Sequence, residues 1–111
     1  MEVRDNKNVC IITPLSPILD SRESSRLLSE ITNDNRKFAL DLEYVKDCTI
    51  DFIDFLKELA TNKNIGVFNI QSDVFVLFNI MGLDKSVNLF VNEIDFLQNE
   101  RQLINRQFSV L

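Results

Sequence analysis

The sequence predicts an α/β fold with a mostly parallel sheet, because short runs of β-branched and aromatic residues alternate with longer amphipathic runs. Four of the short runs predict strands: "VCIIT" (9–13), "FALDL" (38–42), "IGVFNI" (65–70) and "VNLFV" (87–91). The middle runs are too apolar for a sheet that meets water on one face. Helices between such strands imply right-handed crossovers, so neighbouring strands should run parallel.

Helical patterns fill the intervals between the predicted strands, at residues 21–31, 50–60 and 73–81, with a last one from Glu93 onward. Asp20 precedes the first helix, and Glu23 lies three residues after Asp20, which is the capping-box spacing. Gly82 follows the third helix, where a glycine C-cap is expected. The opening residues "MEVRD" predict a further short strand at the edge of the sheet. We therefore expect a small sheet of four or five strands.

The length and the charge of the chain limit its organisation and its partners. With 111 residues, 45% of them hydrophobic, the chain can bury one core, so we expect a single domain over residues 1–111. A net charge of -5 argues against nucleic acid and anionic membranes, which attract clustered Lys and Arg. No apolar stretch reaches the length of a membrane span, so we expect no membrane insertion and a cytoplasmic location. The expected partner is another protein.

The residue types that carry most catalytic and cofactor chemistry are scarce. The chain has no histidine, two cysteines (Cys10 and Cys48) and two glycines, so it offers no Cys/His nucleophile pair, no imidazole base and no glycine-rich phosphate loop. We expect a non-enzymatic protein without a metal or other cofactor. The cysteines are interpreted as small buried hydrophobic residues. Cys48 lies near a predicted helix start, which can lower a thiol pKa, so a redox role is the alternative interpretation.

The helix predicted from Ile50 has two chemically different sides when successive residues are placed about 100° apart. One side is apolar and should cover the sheet: Phe52, Ile53, Leu56, Leu59 and Ala60. The opposite side carries Asp51, Asp54 and Glu58, which we call the acidic stripe. Glu58 gains nothing from the helix dipole and repels Asp54 at the i,i+4 spacing, so helix stability does not explain the stripe. A solvated face and a partner-binding face both remain open, and Phe55 at the rim is a typical interface anchor.

Several strings from Leu15 to about Asn99 resemble the STAS domain, in particular the small stand-alone anti-sigma factor antagonists. The family commonly shows L-S-G-x-L-D before its first helix, and "LSPILD" (15–20) differs only in proline for glycine. Its D-L-S-x-V strand ending is similar to "DLEYV" (41–45). "MGLDKSVNLFVNEIDFLQN" (81–99) resembles its late G-L-D-K stretch, last strand and final helix. The resemblance implies a small sheet with helices layered mainly on one face.

The sequence departs from the family pattern at the phosphorylation motif. Antagonists of this type carry D-S-S-G or D-S-T-G at the start of the second helix, where an anti-sigma kinase phosphorylates the second hydroxyl residue. Aligned without a gap, that motif falls on residues 49–52, which puts Asp51 at the acceptor position as a degenerate phosphorylation site. A two-residue deletion would make Thr49 the acceptor, but this register puts Asp51 and Asp54 at buried helix positions. We therefore prefer the ungapped register.

By resemblance, the chain binds an anti-sigma factor or another regulatory protein and so acts as an anti-sigma factor antagonist. The docking surface would combine the loop from Leu15 to Ser21, the turn from Asp47 to Ile50 and the exposed side of the following helix. The expected partner-binding residues are Asp20, Ser21, Asp47, Cys48, Thr49, Ile50, Asp51, Asp54, Phe55 and Glu58. STAS-like subunits also serve lipid-transport and stress-signalling assemblies, which is the alternative function.

Two further alternatives concern other parts of the chain. A receiver-type phosphoacceptor domain also alternates strands and helices, and Asp41, Glu43 and Asp47 are acids near a strand end. This chain lacks the paired acids after the first strand and the lysine after a late strand that a receiver requires. At the end of the chain, residues 100–111 predict a C-terminal helical extension that folds back on the core or forms a homodimer contact.

Overall fold

The computed structural model describes residues 1–6, 8–31 and 36–98, and these form an α/β domain. The elements are β1 (Glu2–Asn6), β2 (Val9–Thr13), β3 (Ile18–Leu19), α1 (Ser21–Ile31), β4 (Lys37–Asp41), β5 (Asp47–Cys48), α2 (Ile50–Leu59), β6 (Ile65–Phe68), α3 (Ser72–Ile80), a 3-10 turn (Leu83–Lys85), β7 (Asn88–Leu89) and α4 (Glu93–Gln98). The predicted extension at residues 100–111 lies outside the described residues. The predicted α/β class is confirmed.

Five strands form the main sheet in the order β1-β2-β4-β6-β7. β1 is the predicted edge strand and pairs antiparallel with β2, and the other pairs are parallel. The central register aligns Ile11 with Ala39 and Ala39 with Gly66. Receiver-type sheets have the order 2-1-3-4-5 and carry helices on both faces. The observed order excludes the receiver-type alternative.

The three longer helices lie on one face of the sheet, and α4 lies on the other. The larger core joins strand residues such as Ile12 and Leu40 to α1, α2 and α3 through Leu27, Phe52 and Phe78. A smaller core on the opposite face joins Ile11, Ala39, Phe68, Phe90 and Phe96. Because both faces are covered, every residue of β6 is buried and so are four of the five residues of β4. The uninterrupted apolar runs of these strands follow from this double burial.

The last predicted strand is shorter than its sequence pattern. The apolar run at 87–91 predicts five residues, but β7 contains only Asn88 and Leu89. Its ladder with β6 is limited to the pairs Gly66–Asn88 and Val67–Leu89. Beyond it, the Phe90 N–H donates to the carbonyl of Val67 at 2.8 Å, and the Phe90 ring packs into the smaller core. The apolar pattern therefore continues past the strand to Phe90 because its ring is buried, whereas Val91 is exposed.

Gly66 allows α4 to approach the sheet closely. A Cβ at this position would lie 2.6 Å from Cδ1 of Phe96 and 3.3 Å from Cε2 of Phe90. The Phe96 ring also packs against Phe68 and meets Phe90 edge-on, with centroid separations of 5.7 Å and 5.4 Å. The aromatic cluster that covers this face of the sheet thus requires a residue without a side chain in β6.

We expect Gly66→Ala to lower the free energy of unfolding by about 1–3 kcal/mol, because the methyl group overpacks against the Phe96 ring. Urea unfolding of the two single variants and the double variant Gly66→Ala/Phe96→Leu measures the coupling between the positions. The smaller leucine should relieve part of the Gly66→Ala destabilisation.

Gly82→Ala is the matched glycine control, since its Cβ meets nothing within 4 Å and its strain comes only from a φ of +74°. Phe96→Leu should give no relief in that background. Equal stability of Gly66→Ala and the wild type would contradict the proposed close contact.

Candidate functional site

A two-strand parallel pair joins the two loops that were predicted to form a docking surface. Ile18 pairs with Asp47, and Leu19 pairs with Cys48. The carbonyl of Pro17 accepts hydrogen bonds from the N–H groups of Lys46 at 2.7 Å and Asp47 at 3.1 Å. The N–H of Thr49 donates to the carbonyl of Leu19 at 2.9 Å. The loop before α1 and the turn before α2 are therefore one continuous surface.

Side chains of this small pair alternate between the core and the surface, as strand geometry requires. Leu19 and Cys48 are buried, whereas Ile18 is 48% exposed and Asp47 is exposed. Asp20 and Thr49 follow as half-buried residues at the starts of α1 and α2. Ile18 and Asp47 therefore face outward beside two helix N-termini.

Thr49 is the N-cap of α2. Its backbone is extended, with φ -80° and ψ 159°, and its Oγ1 accepts a hydrogen bond from the N–H of Phe52 at 3.2 Å. Ile50 and Asp51 are the next two residues and are exposed, with Ile50 at 59%. Asp51 lies in the first helical turn, where the helix dipole favours a negative charge. Helix capping therefore explains the Thr49 hydroxyl at the start of α2, and the helix dipole explains the Asp51 carboxylate.

The predicted capping residue of α1 is also confirmed. Asp20 Oδ1 accepts hydrogen bonds from the N–H groups of Arg22 at 3.0 Å and Glu23 at 3.4 Å. Glu23 is a buried residue of α1, and its carboxylate forms an ion pair with Arg26 at 3.1 Å. Ser21, the first helical residue, is exposed. Asp20 therefore has a structural role in addition to its predicted place in the docking surface.

The two sides of α2 are oriented as the helical spacing predicts. Phe52, Ile53 and Leu56 have no exposed surface, and Leu59 and Ala60 are half-buried at the margin of the core. All three residues of the acidic stripe are exposed. Phe55 is half-buried, with its ring centroid 6.0 Å from that of Phe52. Phe55 and Glu58 line an open groove of about 320 Å³ together with Leu28, Leu59 and Asn62.

Cys48 does not have the properties of a reactive thiol. Its side chain is buried, and this burial, with a smaller effect of the Asp47 charge, raises its pKa to about 12. The alternative interpretation, a thiol pKa lowered by the helix start, is therefore wrong. Desolvation of the thiolate outweighs the nearby helix dipole. Cys48 belongs to the core, and any contribution to the docking surface comes through its backbone.

A buried aspartate anchors the network next to the predicted site. Asp41 is 5% exposed, and its Oδ1 accepts hydrogen bonds from Asn69 Nδ2 at 3.0 Å and from the N–H of Glu43 at 3.2 Å. Asn69 has a φ of 57°, in the left-handed region that asparagine adopts more readily than most residues with a side chain. Arg4 lies 3.9 Å from Asp41 Oδ2 and 2.6 Å from Glu93. Sequence reasoning missed this network because its members are far apart in the chain.

The described parts of the chain contain no group of three or more histidine, cysteine, aspartate or glutamate residues arranged to hold a metal ion. The expectation that the protein has no cofactor remains a prediction. Among the described helices, none has the length and apolar character that crossing a bilayer would require.

The predicted partner-binding residues fall into two connected groups. Asp20, Ser21, Asp47, Thr49, Ile50 and Asp51 surround the β3–β5 pair and the start of α2. Asp54, Phe55 and Glu58 continue along α2 toward the groove. Ile18 belongs to the predicted docking loop but was not named among the partner-binding residues, and it lies within the first group because it pairs directly with Asp47.

No protein-family model and no curated protein sequence matches the chain. Among solved structures, murine Slc26a9, an anion transporter in the inward-facing state, superposes with a TM-score of 0.71 at 18% identity. The match covers 86% of this chain but only 18% of the transporter chain. A serine-to-glutamate variant of Moorella thermoacetica RsbS superposes with a TM-score of 0.63 at 14% identity, covering 87% of this chain and 93% of RsbS.

These matches agree with the topology described above. Both solved proteins contain the fold that the sequence resemblance implied, and the RsbS match extends over nearly its whole length. The family resemblance also implied a sheet with helices mainly on one face. The chain therefore has the STAS fold.

Proposed function

We propose that the chain is a non-enzymatic regulatory domain that binds an anti-sigma factor and so acts as an anti-sigma factor antagonist. The observation that carries this proposal is the structural match to RsbS, an antagonist of this type, over 93% of the RsbS chain. The pairing of β3 with β5 supports it, because it joins the loop from Leu15 to Ser21 with the turn from Asp47 to Ile50. These are the segments that the family resemblance assigns to docking.

The N-cap of α2 supports the ungapped register of the phosphorylation motif. In that register Thr49 stands where the family has its motif aspartate, and Asp and Thr both serve as N-cap residues. Thr49 does cap the helix, through its hydrogen bond with the Phe52 N–H. In the alternative register Asp47 would take the place of the motif aspartate, but Asp47 lies in β5, before the cap.

Burial along α2 supports the same register. Ile53 and Leu56, which the ungapped register aligns with the buried helix leucines of the family, are fully buried. Asp51 and Asp54, which the alternative register would bury, are exposed. We therefore assign the degenerate acceptor position to Asp51. A carboxylate there gives a permanent charge of about -1, compared with about -1.5 to -2 for a phosphorylated serine.

A second candidate function is a STAS-like subunit of a transport or stress-signalling assembly. The similarity to the domain within Slc26a9 favours it, because there the same fold is a small part of an anion transporter. In this reading the groove and the acidic stripe of α2 contact a neighbouring subunit. Binding to a related anti-sigma kinase distinguishes the two functions, since only the antagonist should form a complex with it.

The antagonist proposal predicts that wild-type protein binds a related anti-sigma kinase but is not phosphorylated by it at Asp51, because serine kinases require a hydroxyl group. Binding is measured by calorimetry, and phosphorylation by intact mass and peptide mapping after incubation with ATP. Asp51→Ser should restore a hydroxyl near the helix N-terminus, where free N–H groups accommodate a phosphate. A mass gain of one phosphoryl group at Ser in this variant alone would support the register.

Asp54→Ser is the matched control, since it adds a serine one turn further along the exposed side of α2. Phosphorylation of wild-type Thr49 would contradict the ungapped register. It would show that the protein retains a reversible switch. Failure of the wild type to bind the kinase would favour the second candidate function.

The acidic stripe gives a separate prediction. Reversal of two exposed charges in Asp54→Lys/Glu58→Lys should weaken kinase binding at least about fivefold if the stripe contacts the partner. Thermal stability should remain within about 0.5 kcal/mol, because neither side chain is buried. Calorimetry and thermal unfolding measure the two effects. Glu30→Lys, an exposed reversal at the end of α1, is the control. Unchanged affinity in the double variant would identify the stripe as a solvated face.

A further inference from the structure

The surface around the β3–β5 pair combines exposed apolar side chains with carboxylates that form no ion pair among the described residues. Ile18 and Ile50 are 48% and 59% exposed. On the flanking loops, Leu15 and Tyr44 are 58% and 51% exposed. Large hydrophobic side chains exposed together at one end of a domain are typical of a contact surface rather than of a solvated one. We call the surface formed by Leu15, Ile18, Tyr44 and Ile50, with the carboxylates around them, the docking end.

Carboxylates surround the apolar residues of the docking end. Asp47 lies opposite Ile18 in the strand pair, and Asp51 follows Ile50. Asp20 lies at the start of α1, directly after β3. The ion pairs formed within the described ranges involve Arg4, Arg26 and Arg36 and include none of these carboxylates. Within the described residues these carboxylates therefore have no ion-pair partner.

From this combination we infer that the docking end binds a basic protein surface, in which lysine or arginine side chains surround an apolar anchor. The inference rests on the proposed function and specifies the chemistry of its partner. A neutral apolar partner would remove the carboxylates from water without a counter-charge, which is unfavourable. Nucleic acid and anionic lipid carry the same sign of charge as the surface and are repelled.

The negative charge of Asp51 gives a further reason to expect a basic partner surface. The ungapped register places Asp51 at the acceptor position of the motif. This chain carries a carboxylate at that position, with Asp47 nearby on the same surface. A partner that presents a cation opposite these two carboxylates is therefore favoured over a neutral one. The complex should form faster at low salt, because opposite charges steer the encounter.

The test uses the full chain labelled with ¹⁵N and two synthetic amphipathic helical peptides. One peptide contains only leucine and lysine, and the other has glutamate in place of every lysine. The leucine–lysine peptide should shift the amide signals of residues 15, 16, 18–20 and 46–51, and the leucine–glutamate peptide should shift none of them. Increasing the salt from about 50 to 300 mM should weaken binding of the first peptide several-fold.

Four single variants separate a specific surface from general charge attraction. Ile18→Ser and Asp47→Lys should each weaken binding of the leucine–lysine peptide about tenfold. The controls Ile80→Ser and Glu30→Lys make the same chemical changes at exposed positions of α3 and α1, and they should change the affinity less than twofold. Folding of each variant is checked by its amide spectrum, and Ile50→Ser replaces Ile18→Ser if that variant unfolds.

Shifts spread over the whole surface, or equal losses in the control variants, would overturn the inference, because the peptide would then respond only to net charge. The anti-sigma kinase provides an independent comparison. Equal kinase affinity of the wild type, Ile18→Ser and Asp47→Lys would overturn the inference while the proposed function stands. Specific peptide binding without kinase binding would support the basic-partner surface and contradict the antagonist function.

Discussion

The handedness of crossovers between parallel strands is the constraint on which this structure depends. β2, β4, β6 and β7 are parallel and follow one another across the sheet in chain order. Each right-handed crossover therefore moves in the same direction, and all intervening helices lie on the same face. Within the described residues the opposite face is covered by the short helix α4, which approaches it closely because Phe96 packs onto the backbone of Gly66. The same constraint brings the N-termini of α1, α2 and α3 together at the carboxyl end of the strands.

Most of the fold could be predicted from the sequence because its longer elements have clear periods. The bounds of β2 and α1 agree with the predicted ones, α2 ends one residue before its predicted end, and α3 begins and ends one residue earlier than predicted. The strand β7 was overpredicted, since an apolar run indicates burial and does not distinguish a strand from the buried loop that follows it. The pair β3–β5 was not predicted as strands, because two residues are too few to show a period.

The candidate site was predictable in part. Asp20 and Thr49 are recognisable because capping acts between residues close in sequence, and the resemblance to a family drew attention to Asp51. The network of Asp41, Asn69 and Arg4 left no such signal, since Asn69 is 28 positions from Asp41 in the chain and Arg4 is 89 positions from Glu93. Burial also changed the interpretation of Cys48, whose pKa is raised even though the residue precedes a helix. Effects that depend on the tertiary environment cannot be obtained from local spacing.

The small pair β3–β5 has a consequence for how fast and how tightly a partner can be recognised. Three backbone hydrogen bonds, from the N–H groups of Lys46 and Asp47 to the carbonyl of Pro17 and from the N–H of Thr49 to the carbonyl of Leu19, hold two loops that would otherwise move independently. The conformational entropy of these loops is thus lost during folding and not again on association. A partner meets a preorganised surface and needs to order only its own side chains. Recognition of this kind is compatible with small backbone changes between the free and bound states.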